Sequence, residues 1–361
     1  MRRGQRDAGV LIPVRTKTAA TPSSEDTTLV PRSWVCQLRL SGRLVHYAFL
    51  VLNLDHLSLT SRLLGRSVPD MLFHYTNSGS LTSIVQDGRL WGGLPEQMND
   101  ASEIAQAFRW INIISGNDHL DRKKAGHRDE REHFADWAYR RTSETDFGYL
   151  MRDAPKTYVV SFSEKGDSLS QWRAYCPRSG GYCLGLPGGL IQKSADAAGW
   201  LLAPCIYDET DIRDALHELY THHMDKWFAT ITPGARSKTG DGYMDGITSH
   251  VNEMIEEVRL VGHFIKNPSF DAEHEWRAVA FNHDHSRGEL QYAPGVDGVR
   301  VFLPFDYANG TSRLFPKAPR PSIRIGPNAH PESVKFATRS LFEELVGEGN
   351  ADVYTTSSSY R

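Results

Sequence analysis

Three polar clusters stand where the apolar patterning of this chain ends a strand or opens a turn, the places where binding and catalytic side chains concentrate. The first is His74-Tyr75-Thr76, closing the strand-like run from Met71. The second is Ser161-Phe162-Ser163, followed by Gln171-Trp172 and Tyr175 on a helical turn. The third is Glu273-His274-Glu275-Trp276-Arg277. Strand alternation puts Glu275 on one face with Arg277, Val279 and Phe281. Arg277 then suits either a phosphate or an ion pair with Glu275. Each cluster also has a plain structural reading. His74 suits a core or edge position, Glu-x-Glu-Trp-Arg a surface ion-pair ladder, and Ser161 and Ser163 a solvent-facing row. Trp172 and Tyr175, three apart on a helical turn, suit a core as well as a ligand.

Other chemistries fit less well. His217-Glu218 with His222 and His223 looks like a zinc-protease helix, but its spacing is i, i+5 and i+6, whereas that site needs i, i+4 to bring both imidazoles to one face. His283-Asp284-His285 has no evident third ligand, so no metal site is expected. Glycine-rich phosphate loops of the Rossmann and P-loop kinds are missing. There is no GxSxG elbow, and Cys176 and Cys183 have no identifiable base. The Asp/Glu pairs along 253–257 and 343–344 read as solvated helix faces.

The elements that would position these clusters are legible from periodicity. Strands are expected at Met71–Thr76, Leu90-Trp91, Thr157–Ser163, Tyr182–Leu186, Glu275–Phe281, Val299–Phe305, Ser322–Ile325 and Asp352–Tyr354. Helices are expected after Ser78 and closing at Asp87-Gly88, after an Asn99-Asp100 cap, and over about 128–141, 168–175, 209–231, 243–266 and 331–346. Strands in both halves with helices inserted between them make an α+β domain over 71–361. Residues 1–35 read as disordered, and 36–70 as a basic extension of uncertain structure.

Charge supports that division. The first seventy residues carry ten Lys/Arg against five Asp/Glu, and the remainder thirty-one against thirty-nine. No overall basic field for gripping nucleic acid exists. Four cysteines without a CxxC pair argue for a reducing cytoplasmic setting. The longest apolar run, Val45 to Leu54, is half the ~20 residues needed to span a bilayer, so no membrane association is expected.

The ordered strings carry a resemblance. His74-Tyr75-Thr76 followed by Leu81-x-x-Ile84 and Gly88, then Gln97-Met98-Asn99-Asp100, resembles the bacterial domain of unknown function 2971 family. The likeness continues through Phe162-Ser163-Glu164, Gln171-Trp172-x-x-Tyr175 and Gly180-Gly181-Tyr182-Cys183-Leu184-Gly185. It extends to Lys266-Asn267-Pro268, Glu275-Trp276-Arg277, Ile325-Gly326-Pro327-Asn328 and Ser359-Tyr360-Arg361. Gln171 departs from it, standing where the family would place Met.

The head of that likeness is in turn similar to NAD-dependent ADP-ribosyltransferases and RNA phosphotransferases. It implies an ADP-ribosyltransferase-like split central sheet with helical insertions and NAD as co-substrate. Carried over, His74 is the first site element, Ser161, Ser163 or Tyr175 the second, and Glu275 the catalytic third. His74, Tyr75, Thr76, Ser161, Ser163, Trp172, Tyr175 and Arg277 would hold NAD, with Tyr75 or Trp172 as a flat surface for nicotinamide. Glu275, bonded to the ribose 2-OH, would stabilise positive charge as the glycosidic bond breaks. The resulting expectation is an ADP-ribosyltransferase acting on a nucleic acid or protein target, in a bacterial defence or toxin setting. The alternative is a non-enzymatic sensor of a defence system that binds a nucleotide or partner in the same cleft. The sequence names neither the target nor an oligomeric state.

Overall fold

The computed structural model describes residues 58–97, 103–127, 129–143, 156–176, 180–231, 241–283, 288–295, 298–307, 321–328, 330–347 and 352–357. The first fifty-seven residues, the Met98-Asn99-Asp100 cap, Asp284-His285 and Ser359-Tyr360-Arg361 lie outside them.

Ten strands form one sheet. They are β1 (Met71–Thr76), β2 (Arg89–Gly93), β3 (Lys156–Ser163), β4 (Tyr182–Pro187), β5 (Leu201–Pro204), β6 (Glu275–His283), β7 (Gln291–Gly295), β8 (Gly298–Asp306), β9 (Ser322–Ile325) and β10 (Asp352–Thr355). Among the described pairs only β9 and β10 run parallel.

β3 is the hub. Ser163 pairs with Phe73 of β1 and with Glu275 of β6, while Val159 pairs with Gly93 of β2 and with Val279 of β6. A strand has two edges, so β6 takes one of them, and β1 and β2 share the other at different heights. The sheet therefore divides at β3. One arm runs β1-β4-β9-β10 and the other β2-β8-β7, with β6 and then β5 on the far side.

Helices cover both faces. On one, α2 (Ser78–Asp87), α6 (Gly188–Ala198) and α9 (Pro331–Val346) bury Leu81, Val85, Ile191 and Phe342 against Leu72, Val160, Phe162, Leu184 and Trp276. On the other, α3 (Glu103–Lys124), α7 (Glu209–Thr230) and α8 (Asp241–Gly262), with α4 (Glu130–Arg141), pack Phe108, Ile111, Leu216 and Val258 on Val159, Ala203 and Val279. This is an α+β fold built on a large mixed open sheet. No helix among the described residues is long and apolar enough to cross a membrane.

Local chemistry explains most boundaries. Asn77 caps α2 through Ser80 N–H at 2.9 Å, and Gly88 ends it in the left-handed region at φ 67°. Asp129 caps α4, and Asp208 caps α7. Three elements escaped sequence reading: α6, which opens on Gly188-Gly189, and the short strands β5 and β7. A fourth is α1 (Ser58–Leu64), whose cap is remote in sequence, because Glu218 of α7 accepts from Leu59 N–H at 3.0 Å. α8 ends at Gly262 rather than at 266. Beyond it Ile265 bridges Ile206, and Lys266 N–H donates to the Ile206 carbonyl.

Candidate functional site

Register decides which cluster residues share a surface. Residues paired across antiparallel strands point to the same face. Phe73, Ser163 and Glu275 therefore lie on one side, together with Tyr75, Ser161 and Arg277 at two-residue steps. His74, Thr76, Phe162 and Trp276 lie on the other. The contacts agree, since the His74 ring meets Phe162 edge-on at 6.1 Å. The expected trio is split: Ser161, Ser163 and Glu275 share a face, and His74 is behind it.

Glu275 anchors a buried ion network at the end of β6. Its carboxylate is 4% exposed and accepts from Arg277 Nε at 2.8 Å and from Lys266 Nζ. Arg277 forks onto Glu103 of α3 and also donates to the His263 carbonyl at 2.7 Å. Lys266 Nζ makes a second bond, 2.6 Å to Glu273. All five charged groups are buried. Burial alone would raise the Glu275 pKa, but Arg277 and Lys266 outweigh it and hold the carboxyl at about 2. The same network raises Arg277 and Lys266 against the pull of desolvation. Tyr207 Oη accepts the Glu275 N–H at 2.8 Å, fixing the strand end. The surface-ladder reading thus gives way to an internal lock with two cations and three carboxylates.

The other expected residues divide between scaffold and rim. Tyr75 and Trp172 are buried and meet edge-on at 4.8 Å, so neither presents a flat surface to a ring. Tyr75 Oη donates to the Lys165 carbonyl and accepts from Ser168 N–H, and Trp172 Nε1 donates to Asp167 at 2.8 Å. Both therefore shape the turn into α5 (Leu169–Tyr175). Ser163 Oγ donates to the Glu273 carbonyl at 2.6 Å. Ser161 Oγ is buried and has no hydrogen-bond partner among the described residues. Thr76 is buried and lends its carbonyl to the Cys176 thiol.

His74 Nδ1 lies 3.0 Å from the Ser161 carbonyl, which requires the proton on that nitrogen. Burial lowers its pKa more than that bond raises it, so the ring is neutral near pH 7. Tyr175 is the exposed member, at 37%. Burial of its hydroxyl, then the charges of Glu275 and Glu273, push its pKa up to about 12.

Sequence reading missed several participants. Lys266 and Glu103 complete the lock with Glu273 of the third cluster, and Glu103 comes from a helix 172 positions before Glu275. Asp167 organises a second cluster: it accepts from Trp172, Arg324 and Ser357 and is held at about 2 by bonds that outweigh its burial. The Gly180-Gly181 motif has a steric cause. Gly180 adopts φ 117°, and a Cβ on Gly181 would fall 2.3 Å from Cys176 Sγ. The residues named for NAD do not all share one surface: His74 and Thr76 stand on one sheet face and Tyr75, Ser161, Ser163 and Arg277 on the other. The Tyr75 and Trp172 rings pack on each other, Tyr175 is exposed, and Arg277 is engaged by Glu103 and Glu275.

Comparison with known proteins places one stretch of the chain. Residues 171–278 match the family model described as Protein of unknown function (DUF2971). That stretch holds the Gln171-Trp172-Tyr175, Gly180–Gly185, Lys266–Pro268 and Glu275-Trp276-Arg277 strings; His74 lies before it. No curated protein and no solved structure matches the chain.

Proposed function

We propose that this DUF2971-family chain is a non-enzymatic binding module that recognises a protein partner at the rim formed by α5 and the turn Pro268–Glu273. The observation that carries this reading is the saturation of Glu275, whose carboxylate oxygens are engaged by Arg277 and Lys266 inside the protein while His74 faces away. A carboxylate so held is a structural charge, with little left to offer a ribose hydroxyl. Above it, Tyr175 and Phe270 stand 37% and 40% exposed, with Phe270 5.3 Å from Lys266 Nζ. Exposed aromatics over a rigid base are typical anchors of protein interfaces. A net negative lock beneath them disfavours a polyphosphate ligand.

A second reading, the NAD-dependent ADP-ribosyltransferase with a macromolecular target, keeps support from two observations. Ser161, Ser163, Glu275 and Arg277 share a face, and the division of the sheet at β3 is compatible with an ADP-ribosyltransferase-like architecture. One experiment separates the two. The full chain is incubated with labelled NAD and cell lysate, in parallel with photo-crosslinking from position 175. The binding reading expects a crosslinked protein that is lost on Phe270→Ala, and no transferred label. Label that appears, and disappears in a folded Glu275→Gln variant, would establish the transferase instead.

A further inference from the structure

Of the three carboxylates in the lock, two have both oxygens engaged. Arg277 and Lys266 hold Glu275, and Arg277 forks onto Glu103. Glu273 differs. Its Oε2 accepts from Lys266 Nζ at 2.6 Å, while its Oε1 accepts no hydrogen bond among the described residues. The residue is 7% exposed, yet Oε1 is not sealed from solvent as the Ser161 hydroxyl is. A carboxylate oxygen in so buried a residue is costly to leave without a donor. Three carboxylates against two cations also leave the lock one negative charge in excess. His263, whose carbonyl Arg277 bonds, is neutral near pH 7 and does not offset it.

The surroundings of Glu273 are aromatic. It ends the turn Pro268–Glu273, which carries Phe270 and packs against α5, the helix that ends on Tyr175. Phe270 lies 5.3 Å from Lys266 Nζ and is still 40% exposed, so a ring that already meets one cation keeps surface for another. The Tyr175 hydroxyl feels the charges of Glu275 and Glu273. Asp271, exposed on the same turn, adds negative charge. Arg173, the cation of α5, stands two residues before Tyr175, about 200° round the helix, and points away from it.

We infer that the rim receives a lysine side chain of the partner protein, its ammonium bonded to Glu273 Oε1 and its stem lying along Phe270 and Tyr175. Lysine fits better than arginine because one oxygen is open, whereas a guanidinium fork takes both oxygens of a carboxylate. An incoming ammonium brings the lock to neutrality and gives Oε1 its donor. The rim is then selective for charge as well as for apolar surface. This rests on the binding reading of the rim and names the group recognised there.

The full chain is titrated with a capped tripeptide carrying one central lysine, followed by the amide shifts of Tyr175 and Phe270. Acetyl-lysine and arginine versions of the same peptide are the controls. The lysine peptide should move both signals and bind at least about tenfold more tightly than the acetyl-lysine peptide. Glu273→Gln should abolish that preference, and Phe270→Ala should weaken lysine binding by about threefold or more. Phe270→Ala, at an exposed residue, decides the matter if Glu273→Gln unfolds. Unmoved signals, equal binding of the acetyl-lysine peptide, or an arginine peptide that binds as tightly would overturn the inference. A protein still captured from position 175 in that event leaves the rim reading standing without its lysine. Peptide binding with no captured protein overturns the partner reading alone, and loss of both removes both.

Discussion

The two faces of β3 and β6 solve opposite problems one residue apart. On the α3 side, Glu275 and Arg277 are tied with Lys266, Glu103 and Glu273 into a closed set of buried charges. On the α2 side, His74, Phe162 and Trp276 form an aromatic row whose polar edge is closed by Glu164, which accepts from Trp276 Nε1 at 2.7 Å and pairs with Arg66. A single step along β6 moves a side chain from one environment to the other. What reads as one cluster, Glu-Trp-Arg, is two sites back to back.

Breaking the charged face should have the largest effect. Arg277→Leu leaves Glu103 and Glu275 buried with their main cation gone, and removing one partner of a buried pair costs about 3–5 kcal/mol. Urea unfolding should show that loss, and Arg277→Lys should recover only part of it because an ammonium cannot reproduce the fork onto Glu103. A cost below about 1 kcal/mol would mean that the lock is not closed in solution.

Acid should separate the faces next. His263 is buried, and desolvation followed by the charges of Arg277 and Arg259 lowers its pKa to about 3, below the ordinary 6.5. Between those values the unfolded chain binds a proton that the folded chain refuses, so stability falls as pH drops through that window. The slope is about 1.4 kcal/mol per pH unit for one such group. Glu275 has the depressed carboxylate pattern: its contribution is complete above about 4.5 and is lost as pH falls toward about 2. Chemical denaturation from pH 7 to pH 4 should therefore show a decline that His263→Leu reduces without abolishing, because the lowered pKa of His74 acts in the same direction, with a second decline below pH 4.5 that His263→Leu leaves in place.

The Asp167 cluster is a milder test, since it is partly exposed and lies beside the buried network. Asp167→Asn weakens the bonds from Arg324, Thr356 and Ser357 together, and a loss of about 1–3 kcal/mol is expected for one such charged acceptor. Faster proteolysis of the chain end near Ser357, with α8 unaffected, would locate that loss. Equal loss in both places would show that the cluster and the lock unfold as one unit.

How much of this was legible follows from which interactions are local. The strands β3 and β9 and the helix α9 announced themselves through alternation, periodicity and Pro331, because each carries its own pattern. The face shared by Glu275 and Arg277 followed from period two alone. Alternation within one strand cannot say which face its neighbour presents, and the split of His74 from Glu275 depends on the Phe73–Ser163 pairing across 90 residues. The partners of the lock were invisible for the same reason. Glu103 and Lys266 sit among ordinary charged residues, and only the packing of α3 and the end of α8 against β6 reveals them. Tyr75 and Trp172 were identified as aromatic but not as mutually packed, which is a tertiary fact.

The smallest expected effect is at His74, and it bears most directly on the comparison. His74 is neutral, touches Phe162 and makes one bond to a backbone carbonyl. His74→Phe keeps an aromatic ring in the row and removes that bond, so the cost should be about 0.5–1.5 kcal/mol, well below that of Arg277→Leu. If the aromatic face is scaffold, crosslinking from position 175 should be unchanged in this variant, because Tyr175 looks out from the opposite side of the sheet. If His74→Phe instead abolishes that capture while its unfolding curve stays close to wild type, the two faces are coupled through β3. His74 would then belong to the functional surface despite facing away from it, and the division drawn from strand register would be the part of the account to abandon.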